Sequence, residues 1–343
     1  MSVTHTFMDS IPSIFLGAPD SSTVLSVLPG HKLLLEGRGY EAVALTIVGS
    51  LFAVLISVAT VPLLIMTVNK VYPLLERFIP FILIVISILL TIRERKSRIW
   101  SFIVFILAGV LGLGTLNLNL SQPLFPLLSG LFGTSNLILS ITQKTKIPKQ
   151  VITDINIKRN EVIKSLGSGV FASTLVGFLP GIGASEAAIV ASFPLKNITT
   201  EAFLVLTGSI NTIVMMFSFV ALYTIDKARN GSVVVISKLL ENFNLDYLIL
   251  FVGVALLTAG ITAVLALKST KIFSRVIGKV SYRKLCLAII ALIVILVAVL
   301  TGPLGLFVLI IATFVGMLPT LKGIGKNHLM GCLLIPVILF FLL

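Results

Sequence analysis

Residues 167–193 read GSGVFASTLVGFLPGIGASEAAIVASF, an apolar stretch long enough to enter a membrane but interrupted in its middle. Proline removes a backbone donor and glycine weakens a helix, so Pro180, Gly181 and Gly183 predict a break. Irregular backbone at membrane depth is stable only where protein or a polar cavity covers it. The stretch therefore predicts a broken helical hairpin; a proline kink in an ordinary span is the alternative.

The rest of the 343-residue chain has the composition of a membrane protein. Hydrophobic residues make up 57% and charged residues 11%, against roughly 25% charged in soluble domains. A crossing needs about 20 apolar residues, and the uncharged runs predict about eight crossings plus two irregular segments. The runs between Arg98 and Lys144 and between Lys284 and Lys322 each predict a helical hairpin, broken at 117–123 and 301–303. We expect an all-α polytopic protein of the cell membrane.

The net charge of +13 comes from basic clusters in 93–98, 144–164, 268–284 and 322–326. Lys and Arg accumulate in short cytoplasmic loops, so these clusters predict topology rather than nucleic-acid binding. The alternation of basic and apolar residues in 268–284 also suits an anionic lipid surface.

Neither an enzyme nor a metal site is indicated. Cys286 and Cys332 lie inside predicted spans, and the three histidines form no cluster with them. Ser185 has no nearby histidine that could act as its base. We expect no catalytic residue, no metal and no bound cofactor.

The helix that restarts after the break in 167–193 is the first candidate site. Gly183, Ala184, Ser185 and Glu186 are small or capping residues, which leave free N–H groups at the start of a half-helix. Such a terminus favours an anion.

A second candidate lies in 201–218, where Gly208, Asn211 and Thr212 interrupt an apolar run. Their polar side chains suit either a hard cation such as sodium or the packing of two helices. Gly17 to Thr23 resembles Gly208 to Thr212 at an offset of about 191 residues, which predicts two repeats. The expected parts are a first, incomplete repeat in 1–143 with about four spans, a basic cytoplasmic linker in 144–166, and a second repeat in 167–343. At this offset the first repeat lacks the counterpart of the Pro180 hairpin, as in an amino-terminally short chain.

Three segments resemble the large membrane subunit of tripartite tricarboxylate transporters, in a shorter, stand-alone form. They are SSTVLSVLPGHKLLLEGRGYEAVALTIVGS (Ser21 to Ser50), GFLPGIGASEAAIVASF (Gly177 to Phe193) and GMLPTLKGIGKNHLMGCLLIPVILFF (Gly316 to Phe341). The resemblance extends from about Ile14 to the end of the chain.

This resemblance implies secondary transport of an organic anion, usually a di- or tricarboxylate, driven by sodium or proton symport. It implies a small membrane subunit and a binding protein as partners. Carried over by position, it implies that substrate binds at Pro29, Gly30, Pro180, Gly181, Gly183, Ala184, Gly208, Asn211 and Thr212. Ser185 joins these candidates as part of the half-helix terminus that favours an anion. Glu186 and Asp20 stand where the family has uncharged residues; together with Asn211 they are the candidates for the coupling ion.

Two other hypotheses use the same fold. One is a translocase for a lipid-linked anion such as a polyprenyl phosphate. The other is a non-transporting scaffold or degenerate relative. In each case the bilayer is a partner, and a second copy of the chain is another candidate partner.

Overall fold

The computed structural model of the chain describes residues 1–16, 24–94, 97–142, 148–153, 155–177, 183–195, 198–240, 242–278 and 281–343. Every regular element within these ranges is helical, which confirms the predicted all-α class. The α-helices are α1 (Ser2–Met8), α2 (Ser10–Leu16), α3 (Val24–Leu35), α4 (Gly39–Arg93), α5 (Arg98–Asn117), α6 (Leu124–Leu128), α7 (Ser135–Thr142), α8 (Arg159–Val176), α9 (Ala184–Ser192), α10 (Thr200–Ile225), α11 (Gly231–Leu239), α12 (Leu245–Ile277), α13 (Tyr282–Lys322) and α14 (Gly331–Leu342). A π-helical turn (Ser129–Thr134) joins α6 to α7, and a 3-10 turn (Lys326–Met330) precedes α14.

Within these ranges, six helical stretches are long and apolar enough to cross a membrane, so the protein is multi-pass. They are Gly39–Lys70, Arg98–Asn117, Leu124–Thr142, Thr200–Ile225, Leu245–Ile277 and Tyr282–Lys322. Pro80–Ile92 and Lys326–Leu342 are shorter apolar helices, so the expected eight full crossings correspond to six full candidates and two shorter ones.

Both predicted breaks are present. α5 ends at Asn117, and α13 is interrupted at Gly302, whose φ of 68° and ψ of −163° are open to glycine but strained for other residues. As a straight helix, the 41 residues of α13 would be about 60 Å long, twice the thickness of the hydrocarbon core. The glycine therefore divides α13 into two arms.

The chain forms two compact units, each assembled from separate parts of the sequence. Unit 1 contains Met1–Phe15, Ser21–Arg77 and Pro148–Gly278, and unit 2 contains Leu16–Asp20, Phe78–Ile147 and Lys279–Leu343. The expected repeats, with boundaries at residues 143 and 167, are consecutive stretches of sequence, whereas each compact unit combines separate stretches. The division into repeats therefore stays a prediction.

Unit 1 is built around α10. Although α10 is apolar enough to cross a membrane, 89% of its apolar stretch is buried inside the protein, against 33% for α12. α1, α3, α8, α9 and α12 all pack on α10. Small residues such as Ala172, Ala187 and Ala188 let α8 and α9 approach it closely. α10 is thus a core helix, whereas α12 leaves most of its apolar surface exposed.

Unit 2 is built around α13, which packs on α5, α6, the π-helical turn and α7, while α14 packs on α5. Its interior is mostly apolar, with a cluster that includes Leu137, Ile289 and Val297. The hydroxyl groups of Thr134 and Thr313 pair with each other at 2.5 Å. The carboxylate of Glu94 accepts a hydrogen bond from the Gly325 N–H and lies 3.4 Å from Nε2 of His328.

An extended strap, residues 148–153 and 155–158, runs beside the turn between α3 and α4. The Gln150 side chain donates to the Leu34 carbonyl oxygen and accepts from the Gly39 N–H, both at 2.9 Å. The Val151 N–H donates to the Gly37 carbonyl oxygen at 2.9 Å. The strap therefore fixes the start of α4 and leads directly into α8.

Candidate functional site: a buried polar centre in unit 1

Four helices of unit 1 carry three polar stripes into its interior. On α1 and α2 the stripe is Thr6, Asp9, Ser10 and Ser13, which are spaced i, i+3, i+4 and i+7 and therefore share one helix face. All four are buried, and Asp9 is only 7% exposed. Asp9 stands at the interruption between the two helices. An amphipathic helix usually turns such a stripe to water, so its burial marks a polar site.

The stripes on the other two helices lie within apolar spans. α10 contributes Gly208, Asn211 and Thr212 at the same i, i+3, i+4 spacing, and α4 contributes Thr46 and Ser50. The side chains of these four polar residues are buried. Polar groups inside a membrane are costly unless they are paired or functional.

The three stripes meet through four side-chain contacts. Asn211 Nδ2 donates to Asp9 Oδ2 at 2.7 Å, and Thr212 Oγ1 donates to Thr6 Oγ1 at 3.2 Å. Thr46 Oγ1 and Ser10 Oγ are hydrogen-bonded at 3.0 Å, and Ser50 Oγ donates to the Gly208 carbonyl oxygen at 3.1 Å. We call this set the polar centre: Thr6, Asp9, Ser10, Thr46, Ser50, Gly208, Asn211 and Thr212.

Two glycines allow α4 and α10 to approach closely enough for these contacts. A methyl group on Gly49 would overlap the carbonyl oxygen of Val205, and one on Gly208 would overlap that of Thr46. The contact is reciprocal, since each helix presents a glycine to the backbone of the other. Gly208, expected to bind substrate, therefore has a packing role at this crossing.

A polar cleft lies where α4, α8 and α10 begin. Its volume is about 620 Å³, and its lining includes Arg38, Lys158, Glu41, Glu161 and Glu201. Arg38 donates two hydrogen bonds of 2.8 Å to the Glu41 carboxylate and lies 2.9 Å from Glu201 Oε1. These hydrogen bonds, above all those to Glu41, raise the pKa of the Arg38 guanidinium above its ordinary value. Arg38 thus remains a cation and joins the first turns of α4 and α10.

Matching contacts of α4 and α10 lie at a residue offset that differs from the offset of the predicted repeat. Glu41 and Glu201, 160 residues apart, both contact Arg38, while Gly49 and Gly208, 159 residues apart, form the reciprocal crossing. The predicted offset of about 191 instead pairs Gly208 with Gly17, which lies outside the described residues. The packing supports an offset of 159–160 residues between α3–α4 and α9–α10, and the predicted register is not confirmed.

The other predicted site residues lie in the hairpin segments. Pro180, Gly181 and Asp20 lie outside the described residues, as does the Glu186 side chain. Ala184 and Ser185 are buried at the start of α9, directly after the exposed Gly183. Pro29 and Gly30 lie within α3 rather than at a break, and Gly30 packs on Ile14. Leu25 of α3 packs against the apolar cluster formed by α8, α9 and α10, so α3 and α9 border the same core.

Sequence reasoning placed Asn211 and Thr212 in the site but missed their partners on α1, α2 and α4. One signal was the acidic side chain of Asp9 among hydroxyl-bearing residues in a segment that also carries Phe7, Met8 and Ile11. The i, i+3, i+4, i+7 spacing of Thr6, Asp9, Ser10 and Ser13 was a second signal. Arg38 and its two glutamates were also missed, since their link depends on long-range packing.

The fold and the polar centre define a polytopic α-helical membrane protein whose buried polar site is assembled from several helices. The model of the tripartite tricarboxylate transporter TctA family matches residues 1–331, and the chain belongs to this family. Its members are components of a transporter, which confirms the predicted transport class and multi-pass membrane localisation.

One relative is the uncharacterized protein MJ1079 of Methanocaldococcus jannaschii. It is 33% identical over 355 residues, which cover 99% of this chain and 86% of that protein. No solved structure matches the chain.

Proposed function

We propose that the chain is the permease of an ion-coupled carrier for small organic anions, di- or tricarboxylates, with sodium or protons as the coupling ion. The polar centre is the observation that carries the proposal. It places a carboxylate, an amide and five hydroxyl groups inside unit 1, on helices that otherwise suit a lipid environment. Buried polar groups of this kind are characteristic of substrate and ion pathways.

The anion would bind at the start of α9. The N–H groups of Gly183, Ala184 and Ser185 precede or open this half-helix, where the helix dipole favours negative charge. Discontinuous helices with half-helix termini near the bilayer midplane are a common way to build such sites.

The remaining predicted residues receive supporting roles. Asn211 and Thr212 belong to the polar centre, where they suit the coupling ion, and Glu186 and Asp20 are further candidates for that role. Gly208 holds the helix crossing, and Pro29 and Gly30 shape α3 beside the core. We propose a small membrane subunit, a binding protein and a second copy of the chain as partners. The exposed apolar faces of α12 and α13 offer surface for lipid or for such subunits.

Uptake into proteoliposomes tests the function. Radiolabelled di- and tricarboxylates are offered with a sodium gradient, a pH gradient or neither, to wild type and to Asn211→Leu. We expect gradient-dependent uptake by the wild type and a loss of roughly 10- to 100-fold in the variant, because Asp9 loses its amide donor.

Thr313→Val is the matched control, since it removes a buried hydroxyl from unit 2 and should retain wild-type uptake. Uptake of no carboxylate under any gradient contradicts the proposal. Accumulation of a polyprenyl phosphate instead would assign the lipid-linked anion.

A further inference from the structure

An imidazole stands beside the buried carboxylate of the polar centre. His5 lies one helical turn before Asp9, and its Nδ1 is 3.7 Å from Asp9 Oδ2. The two side chains differ sharply in exposure: 60% for His5 and 5% for Asp9. A largely exposed imidazole thus lies beside a buried carboxylate.

The position of this pair along the membrane normal follows from the neighbouring residue Thr6, which is hydrogen-bonded to Thr212 of α10. Thr212 lies 12 residues into α10, or about 18 Å from its start, which is near the middle of a span. A polar imidazole exposed to hydrocarbon at this depth is unfavourable. His5 therefore borders a route that water can reach.

The contacts described around the pair come from neutral groups. α10 provides Asn211 and Thr212, and α4 provides Thr46 through Ser10. α12 provides Thr262, which lies 3.4 Å from Thr4.

We propose that Asp9 is the proton-binding carboxylate of the carrier and that His5 relays the proton to it, which rests on the proposed function. His5 takes a proton from water on Nε2 and releases the one on Nδ1 to Asp9 Oδ2. One N–H bond breaks, one O–H bond forms, and the carboxylate becomes a neutral acid.

This step removes a buried negative charge from unit 1. An anionic substrate in the same unit is repelled by ionised Asp9 and is not repelled by the neutral acid. Proton binding therefore precedes substrate binding. The oxygen atoms of the polar centre also suit a sodium ion, but the imidazole of His5 would not contribute to sodium binding.

Labelling with dicyclohexylcarbodiimide, which modifies neutral carboxyl groups, tests the proposal without any substrate. The full chain in liposomes is labelled between pH 5.5 and 8.5, and modification at Asp9 is measured by peptide mass spectrometry. We expect labelling to increase as the pH falls. In His5→Gln the midpoint should move to higher pH by about 1 unit, because a cationic imidazole favours the carboxylate.

Asp9→Asn should lose the modified peptide, and Asp9→Glu should recover it. Thr262 of α12 contacts α1 at Thr4, so Thr262→Val should leave the pH dependence of Asp9 labelling unchanged. Absence of labelling at Asp9, labelling independent of pH, or a midpoint unmoved in His5→Gln overturns the proposal. Protection by sodium in both wild type and His5→Gln also overturns it and assigns a sodium site. The labelling experiment contains no substrate and is therefore independent of the uptake experiment. If no carboxylate is taken up but labelling of Asp9 still depends on pH, the carboxylate carrier is refuted and the proton-binding role of Asp9 is not.

Discussion

The interiors of units 1 and 2 use the same packing device but hold different chemistry. In both, a helix brings a glycine against a backbone carbonyl of its neighbour, as Gly208 does in unit 1 and Gly316 in unit 2. Unit 1 then fills the space beside the crossing with a carboxylate, an amide and hydroxyls, whereas unit 2 has the Thr134–Thr313 hydroxyl pair and holds its buried ionisable groups, Lys326 and His328, in the turn before α14. We therefore expect the polar side chains of unit 1 to matter more for transport, and the hydroxyl pair of unit 2 more for packing.

The largest effect is expected at the glycine crossing. Gly208→Val should lower the free energy of unfolding by about 3 kcal/mol or more, because the side chain overlaps the Thr46 carbonyl and the backbone cannot yield. Gly316→Val, which meets the Leu131 carbonyl, should cost a similar amount. Thermal unfolding in detergent measures both. Gly253→Val, whose added atoms meet open space, is the control, and equal losses in all three contradict the close approach.

A smaller loss should follow the removal of Arg38. In Arg38→Met the carboxylates of Glu41 and Glu201 lose their shared cation, and we expect a destabilisation of roughly 1–3 kcal/mol. Burial opposes ionisation of Glu41, but the hydrogen bonds from Arg38 hold the pKa of this carboxyl below its ordinary value. The deficit should therefore be fully present at neutral pH and should shrink as falling pH protonates Glu41. Adding Glu201→Gln should restore part of the stability at pH 7. A deficit unaffected by pH would mean that charge is not its cause.

The hydroxyl pairs of the two units separate function from packing. Replacing Thr6 and Thr212 together by valine should cost less than about 1 kcal/mol, as should replacing Thr134 and Thr313, because no partner is left unsatisfied. Uptake should nevertheless fall about tenfold or more only in the unit 1 variant. Proteoliposome uptake and thermal unfolding of both variants are the measurements. Equal uptake in the two variants would remove the functional distinction between the units.

The smallest effect is expected on the outer face of α12. Leu257 is 71% exposed, so Leu257→Ala should change the stability by less than about 0.5 kcal/mol and leave uptake intact. A large loss of uptake in cells, without a loss in purified protein, would mark this face as a subunit contact.

Much of the fold follows from local sequence features. Uncharged runs located the long helices, and Thr301–Gly302–Pro303 predicted the interruption of α13, because each depends on a few neighbouring residues. Asn211 and Thr212 were found for the same reason, as polar residues inside an apolar run. Their partners Asp9 and Thr6 are 202 and 206 residues away, and no local pattern specifies which helices meet. The offset of 159–160 residues depends on widely spaced positions, Glu41 with Gly49 and Glu201 with Gly208, and the predicted repeat register stays a prediction.

The strap beside the α3–α4 turn has a consequence for the order of synthesis. Gly39 at the start of α4 receives its partner Gln150 only after 111 further residues, and Ser50 meets Gly208 only after 158. During synthesis α4 must therefore enter the bilayer while its polar side chains still lack their final partners. The first half of unit 1 therefore cannot complete its packing until α10 has been synthesised. If synthesis stops before α10, we expect the incomplete chain to be recognised by quality-control proteases.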